Sequence, residues 1–227
     1  MDLPVAAVVA LALVAAYLIG SLSFAVIVSR LMGLADPRSY GSNNPGATNV
    51  LRSGKRSAAV LTLALDVLKG YLPVLAVLVW GPAWGLGAST AVWVGVAAFV
   101  GHVWPVFFRF EGGKGAATAA GVLFAFNPLL GVATLASWAL IAFFFRYVSL
   151  ASIVAALFAP FYQMLIWGPS FVLLPLALMS LLLVWRHEAN IRKLMAGTES
   201  RLGQRAAPPV PPSGSGGAHG GHRRRSR

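Results

Sequence analysis

Three short polar stretches carry the side chains that could do chemistry in an otherwise largely apolar chain. The first, GSNNPGATNVLR, runs from Gly41 to Arg52 and combines amide and hydroxyl side chains with an arginine. Its glycines and proline can bend the chain, and its hydroxyl and amide groups can cap turns and helix starts. If a helix has begun by Thr48, the Thr48 hydroxyl and the Arg52 guanidinium share one helix face. The stretch is therefore either a well-capped loop or part of an anion site.

The second stretch, GHVWPVFFRFEGGKGAAT, covers residues 101–118 and ends in an Ala-rich run that favours a helix. Glycines let a backbone approach a ligand closely, a helix start presents free N–H groups to an anion, and Lys114 adds a positive charge. It is not a Walker A loop, because Phe108 replaces the required glycine and Gly115 the required serine or threonine. It predicts either a phosphate-binding turn or a flexible turn whose lysine sets topology. His102 is either a site residue or an interfacial histidine.

The third stretch, RHEANIRKLMAGTES, begins at Arg186 and follows the last apolar segment. The spacing places His187 and Asn190 on one helix face with two apolar residues, so this face points toward protein. Glu188 pairs with an arginine four residues later on another face, and we expect no carboxylate beside the histidine. Gly197 is a natural helix stop. The alternative is an amphipathic surface helix with two incidental polar residues.

The elements that hold these stretches are predicted to be membrane helices. The chain is 58% hydrophobic and 11% charged, whereas soluble domains carry about 25% charged residues. No charged side chain lies between Leu3 and Ser29, and about 20 apolar residues suffice to cross a bilayer. This run is too long for a signal peptide, and Asp2 replaces the usual basic start. We therefore expect the first segment to be retained as a membrane helix.

Seven apolar segments can be distinguished, with a split at Asn127-Pro128: 3–29, 58–80, 87–105, 116–127, 128–145, 148–167 and 170–185. The fourth is short for a full span, so six crossings or a re-entrant element stay open. With seven crossings, the lysines and arginines outside the spans fall on one side, which the positive-inside rule makes cytoplasmic, with the N-terminus outside. The predicted fold is an all-α polytopic membrane bundle of about seven transmembrane helices.

Composition also divides the chain and excludes several classes of site. Residues 1–202 form the predicted membrane-embedded domain, and the Pro-, Gly- and Arg-rich residues 203–227 a disordered cytoplasmic tail. The chain has no cysteine, which excludes disulfides and thiolate metal sites, and no metal motif appears, so no metal or other cofactor is predicted. The net charge of +12 indicates contact with anionic lipid, not nucleic acid. Asp66 and Lys69, within the second segment, are either a structural pair or border the site.

These three stretches, together with LDVLKG in the second segment and YLIGS in the first, resemble the signatures of the bacterial acyl-phosphate:glycerol-3-phosphate acyltransferase (PlsY) family. The resemblance covers residues 1 to about 200. It implies a seven-helix, multi-pass protein of the bacterial plasma (inner) membrane with its active site at the cytoplasmic face. The implied reaction transfers a fatty acyl group from acyl phosphate to the 1-hydroxyl of glycerol 3-phosphate. The products are 1-acylglycerol 3-phosphate (lysophosphatidic acid) and phosphate, and no obligate protein partner is evident.

The resemblance also assigns roles to individual residues. The catalytic positions that it implies are Ser42, Arg52, Lys114, His187 and Asn190. It implies phosphate contacts at Thr48, Gly112 and Gly113, and we also expect substrate or phosphate contacts at Asn44, Gly46, Asn49 and His102. Glu111 departs from the family pattern, and we expect it to face solvent or pair with Arg109.

The absence of two common catalytic motifs from the sequence is consistent with the implied reaction. There is neither an H-x-x-x-x-D pair nor a G-x-S-x-G elbow, and an acyl phosphate is already activated. We expect Arg52, Lys114 and Ser42 to hold phosphates, while His187 and Asn190 orient the glycerol substrate or stabilise the oxyanion. The proton passes to His187 or to the donor's phosphate, and the sequence leaves both open.

Two other classes of function are a transporter or channel for phosphorylated solutes and a non-catalytic membrane scaffold. The first lacks a polar path through the spans, and the second leaves the polar stretches without a purpose.

Overall fold

The structure is a computed structural model that describes residues 3–203, and these residues are helical with no β-strand. The α-helices are Val5–Gly20 (α1), Phe24–Leu31 (α2), Ala47–Leu51 (α3), Arg56–Trp80 (α4), Ala88–Val103 (α5), Ala116–Phe126 (α6), Pro128–Phe145 (α7), Val148–Trp167 (α8), Leu173–Arg186 (α9) and Glu188–Met195 (α10). Short 3-10 turns follow α4 and α5. The tail predicted for residues 203–227 lies outside the described residues from position 204 onward.

Several of these helices are long and apolar enough to span a membrane. Four helical stretches meet that test, namely Arg56–Trp84, Ala88–Phe108, Pro128–Phe145 and Val148–Trp167. α1 and α2 together supply a fifth if the 43° bend between them lies within one span. α6 and α9 are apolar but shorter, with 11 and 14 residues. The predicted all-α membrane bundle is confirmed, and seven crossings remain a prediction.

The predicted break between α6 and α7 is present and has a local cause. The Asn127 side-chain oxygen accepts hydrogen bonds from the backbone N–H groups of Leu129 and Leu130, at 3.1 and 3.2 Å. Pro128 occupies the first helical position, where its missing N–H costs nothing. This cap begins α7 directly after α6 and turns the chain back through the bundle.

Two glycines let α4 and α6 approach each other closely. A Cβ added to Gly121 would lie 2.0 Å from the Val67 carbonyl oxygen, and one added to Gly70 would lie 2.2 Å from the Thr118 carbonyl oxygen. Small residues at such crossings are the usual way in which membrane helices gain van der Waals contact. The contact holds the first half of α6 against the middle of α4.

The bundle buries three apolar clusters within residues 3–203 and exposes large apolar side chains around its outside. One cluster lies where α1, α4, α5, α6, α8 and α9 meet around the fully buried Phe99. On the outer surface, Phe143 of α7 is 78% exposed and Leu181 of α9 is 64% exposed. Such side chains are unfavourable in water but equivalent to lipid tails in a bilayer. The outer surface is therefore suited to contact with the hydrocarbon core of a lipid bilayer.

Candidate active site

A cavity of about 930 Å³ opens between the starts of α4 and α6, the end of α9, the start of α10 and the segment after α10, and it continues between α7 and α8. The five residues predicted to be catalytic all line it: Ser42, Arg52, Lys114, His187 and Asn190. Five of the predicted substrate contacts also line it: Asn44, Gly46, Thr48, Asn49 and His102. Gly112 and Gly113 do not. The three polar stretches thus meet at one cavity although they are far apart in sequence.

Asn49 organises the first stretch from within. Its side-chain oxygen accepts a hydrogen bond from the Ser42 backbone N–H at 3.0 Å. Its side-chain NH₂ donates to the carbonyl oxygens of Pro37 and Tyr40, at 2.6 and 3.1 Å. Asn49 is buried, so these bonds are protected from water. Its amide therefore holds the loop that presents Ser42, and a contact of Asn49 with substrate stays a prediction.

Arg52 follows the last residue of α3 and reaches across the cavity mouth. Its guanidinium donates a hydrogen bond to the Ser200 hydroxyl, which lies in the segment after α10. That segment also lines the cavity. A guanidinium has five N–H donors in a planar fork, so this bond leaves others for an anion. Arg52 thus joins the first stretch to the third at the point where both face the cavity.

The Gly112-Gly113 turn stands behind the cavity and positions Lys114. The Arg186 guanidinium donates to the carbonyl oxygens of Gly112 and Gly113, at 3.1 and 3.3 Å. The Gly113 N–H donates to the His102 carbonyl oxygen at 3.1 Å, and a Cβ on Gly113 would lie 2.2 Å from the His102 ring. These glycines allow close packing against His102, and their contact with a phosphate stays a prediction. Of this turn, Lys114 reaches the cavity together with Gly115.

Lys114 is a partly desolvated cation in the polar end of the cavity, which is the part lined by Ser42, Arg52, Lys114, His187 and Asn190. Burial lowers the pKa of its ammonium group to about 8. The carboxylate of Glu199 opposes this shift, while nearby arginine and lysine charges add to it. The ammonium group donates a hydrogen bond to the Asn190 side-chain oxygen. An anionic ligand beside this ammonium group would therefore be favourable, because a buried charge with incomplete pairing is costly.

Glu199 is a carboxylate that the sequence interpretation missed, and its presence corrects the expectation that none would lie near the histidine. Its Oε1 accepts hydrogen bonds from the Asn190 amide and from the Ser149 hydroxyl, both at 2.7 Å. Gly197, with φ of 68°, turns the chain back after α10 and brings Glu199 into the cavity wall. Glu199 fixes the orientation of the Asn190 amide, whose oxygen then faces Lys114.

His187 is neutral and presents one ring nitrogen as an acceptor. Its Nδ1 lies 2.8 Å from the Leu183 carbonyl oxygen, which requires Nδ1 to carry the proton. Nε2 is then the unprotonated nitrogen of this tautomer. Burial lowers the pKa of His187 to about 4, although its hydrogen bond to Leu183 acts in the opposite direction. At neutral pH the ring can accept a hydrogen bond from a hydroxyl group but is a weak base.

Asp66 and His102 form the inner wall of the polar end. The Asp66 carboxylate lies 2.8 Å from the Lys69 ammonium and 3.6 Å from His102 Nδ1. Lys69 also donates to the Leu22 carbonyl oxygen at 2.8 Å. Asp66 is thus both a structural partner of Lys69 and a cavity-lining residue, which unites the two predicted roles. Within residues 3–203, no cluster of three or more His, Asp or Glu side chains is placed to hold a metal ion.

Glu111 stays outside the cavity. Its carboxylate lies 3.4 Å from the Arg38 guanidinium and its side chain is 66% exposed. Arg38 also pairs with Asp36 at 2.8 Å. The expectation that Glu111 faces solvent holds, but its partner is Arg38 and not Arg109. The negative charge of Glu111 is therefore neutralised away from Lys114.

From the polar end, the cavity continues as an apolar branch between α6, α7, α8 and α9. Its α8 wall is lined by small side chains, among them Ala155, Ala156 and Ala159, and its α9 wall by larger ones such as Leu176 and Met179. The cavity therefore combines a cationic end with a narrow apolar extension. This arrangement suits an amphiphilic ligand with an anionic head and a hydrocarbon chain.

The chain is similar to proteins of one family. A family model described as glycerol-3-phosphate acyltransferase matches residues 10–197. A glycerol-3-phosphate acyltransferase of Paraburkholderia phytofirmans is 60% identical over 192 residues, which is 85% of this chain and 90% of the relative. One of Janthinobacterium sp. (strain Marseille) is 60% identical over 190 residues, covering 84% and 94% of the two chains.

Two crystal structures share the fold. Both are of PlsY (YgiH), an integral membrane glycerol 3-phosphate acyltransferase. Its glycerol 3-phosphate form has a TM-score of 0.80 and 38% identity, covering 86% of this chain and 96% of that one. Its lysophosphatidic acid form has a TM-score of 0.78 and 37% identity, covering 86% and 95%. The residues matched by the family model, 10–197, include every cavity-lining residue except those from Glu199 to Gly203.

Proposed function

This chain belongs to the glycerol-3-phosphate acyltransferase family, and we propose that its cavity transfers a fatty acyl group from acyl phosphate to the 1-hydroxyl of glycerol 3-phosphate. The products are 1-acylglycerol 3-phosphate and inorganic phosphate, so the enzyme performs the first step of phospholipid biosynthesis. The proposal rests on one observation: Arg52, Lys114 and His187 line the polar end of a single cavity, and that cavity also has an apolar branch.

The cationic end supplies partners for two phosphate groups. Arg52 offers a planar fork that suits bidentate phosphate binding, and Lys114 offers a point charge. Ser42, which the buried Asn49 holds at the cavity wall, adds a hydroxyl group. Holding two anions together costs electrostatic repulsion, which these two cations offset. Positioning of this kind can contribute about 7–11 kcal/mol to lowering a barrier.

His187 and Asn190 orient the reacting groups. The glycerol hydroxyl oxygen attacks the carbonyl carbon of the acyl phosphate and forms the ester bond. The bond from that carbon to the phosphate oxygen breaks, and phosphate leaves with the electron pair. His187 Nε2 accepts a hydrogen bond from the attacking hydroxyl, while the Asn190 amide, oriented by Glu199, lies beside Lys114.

The proton of the hydroxyl ends on the departing phosphate. The pKa of His187 is about 4, whereas a phosphate group has a second pKa of about 6. The phosphate is thus the stronger base, and it is formed at the reacting carbon. His187 then acts by orientation and by passing the proton on, so it need not stay protonated. Of the two proton acceptors that the sequence left open, this difference in basicity favours the departing phosphate over His187.

The acyl chain enters from the bilayer. Leu63 of α4 and Leu135 of α7 line the cavity, yet they are 49% and 46% exposed. They flank a lateral opening through which a hydrocarbon chain can pass from the lipid, while the polar end lies beside the starts of α4 and α6. An amphiphilic donor therefore reaches the cationic groups without leaving the membrane.

The topology that fits this site has seven crossings, with the N-terminus outside and the cavity head at the cytoplasmic face of the bacterial inner membrane. α1 with α2 forms one crossing, and the short α6 and α9 are counted with the four longer spans. The basic loops then lie on the cytoplasmic side, where glycerol 3-phosphate is available. Residues 204–227 extend the chain on that side.

The proposal is tested with purified protein in liposomes, palmitoyl phosphate and radiolabelled glycerol 3-phosphate. Formation of labelled lysophosphatidate is the expected result. Palmitoyl-CoA and palmitoyl-acyl carrier protein in place of palmitoyl phosphate test the donor, and neither should support transfer. Equal rates with either would contradict the acyl phosphate donor. Uptake of label into the liposomes without acylation would instead indicate a transporter.

A further inference from the structure

The apolar branch of the cavity has a closed inner end. Along α8, residues line the cavity from Val148 to Ala159 and no further, although the helix continues to Trp167. Along α9 and the turn after it, the lining runs from His187 back to Leu176. Each stretch spans about 16 Å at a rise of 1.5 Å per residue. The linings of the two walls are therefore equally long, as expected if both walls end at the same depth.

Contacts between the two walls confirm this register. The Ser180 hydroxyl donates to the Ala156 carbonyl oxygen at 2.6 Å, which sets these two residues side by side. One turn deeper, Ala159 and Leu176 belong to the same buried cluster, with 4% and 3% exposure. Both still line the cavity. They are thus the innermost residues on the facing walls.

Packed apolar side chains fill the space beyond that point. The same cluster contains Val92, Leu130 and Val172, which are at most 4% exposed and do not line the cavity. Interiors packed in this way leave no space for additional methylene groups without displacement of side chains. A chain that reaches this end cannot extend further along the branch.

We propose that Ala159 and Leu176 determine the acyl-chain length that the branch accommodates, an inference that rests on the proposed function. A hydrocarbon chain with bonds of about 1.5 Å advances about 1.3 Å per methylene. The distance of about 16 Å from the level of His187 to the inner end therefore holds roughly 12 to 14 carbons of an acyl chain whose carbonyl group lies beside His187. The methyl group of Ala159 leaves the last part of this space open, and a larger side chain there would shorten it. Longer acyl chains must bend out past Leu63 and Leu135 toward the lipid.

The test compares kcat/KM for acyl phosphates of 8 to 18 carbons in liposomes of constant composition. Ala159→Phe should lower the ratio of myristoyl (14 carbons) to octanoyl (8 carbons) phosphate by about tenfold, since overfilling a packed site is unfavourable. Ala139→Phe is the matched control, because Ala139 lies on the exposed face of α7 outside the cavity. Its ratio should stay within about twofold of the wild type.

A second variant tests the opposite direction. Leu176→Ala removes bulk from the inner end and should raise the ratio of palmitoyl to myristoyl phosphate by about threefold, as one or two more methylenes fit. Unchanged ratios in both variants would overturn the inference, as would an equal loss for all chain lengths in Ala159→Phe. If the wild type transfers no acyl group of any length, the proposed function itself fails. Transfer with unaltered ratios in the variants contradicts the length determinant alone.

Discussion

Raising the pH should weaken substrate binding through the deprotonation of Lys114. Burial lowers the pKa of this side chain to about 8, so the ammonium group is mostly charged below pH 8 and mostly neutral above it. If the charged form alone binds the phosphate, kcat/KM for glycerol 3-phosphate falls by about tenfold between pH 7 and pH 9. This ratio reports the free enzyme, and a bound anion would raise the pKa, so kcat should change less.

The Lys114→Arg variant isolates the cause of this pH dependence. Arginine stays protonated over the whole range, so the variant should lose the fall above pH 8, whatever its absolute activity. Glycerol 3-phosphate does not titrate there, because a phosphate monoester has its second pKa near about 6. Lys55→Arg is the matched control, since Lys55 is exposed at the start of α4 and lies outside the cavity. A Lys114→Arg profile that still falls at pH 8 would refute the role of Lys114.

Three further outcomes are expected. Arg52→Ala should lower kcat/KM by at least about 30-fold, because leaving a buried anion without its charged partner costs roughly 2–5 kcal/mol. Near-normal kinetics in a variant that still purifies from membranes would show that Arg52 does not bind the substrate. Arg186→Met should raise the KM for glycerol 3-phosphate by about tenfold, because it removes two charge-assisted hydrogen bonds to the Gly112-Gly113 turn. Arg186→Lys should restore part of this loss. An unchanged KM in Arg186→Met would contradict the positioning role of Arg186. Deleting residues 204–227, a segment whose composition predicts no packed core, should leave specific activity within about twofold, and a collapse of activity would show that the segment contributes to the site.

The parts of the fold that could be predicted depend on local sequence. Apolar length predicts membrane helices because the bilayer sets a minimum span. The break at Asn127-Pro128 and the stop near Gly197 are present because capping and positive φ are properties of one or two residues. The Glu188–Arg192 pair is present at 2.9 Å for the same reason, since it needs a single helical turn. Each of these features is determined within a few residues of the chain.

The arrangement of the site depends on distant contacts that periodicity does not reveal. Arg186 reaches Gly112 and Gly113 from 74 and 73 residues away, and Ser149 meets Glu199 across 50 residues. Residue type alone made the glycines candidates for phosphate contact, whereas their burial against His102 gives them a packing role. Glu199 was missed because it follows a helix end, where the direction of the chain depends on a turn and not on helical spacing.

The most direct test of the account is an experimental structure of this protein with glycerol 3-phosphate bound. The phosphate should lie in the cavity, with oxygens about 2.7–3.2 Å from side-chain donors of at least two of the three polar stretches. Arg52 and Lys114 should be among the cationic side chains that face it. A phosphate bound elsewhere on the protein, or in the cavity without contact to either cation, would contradict the central claim.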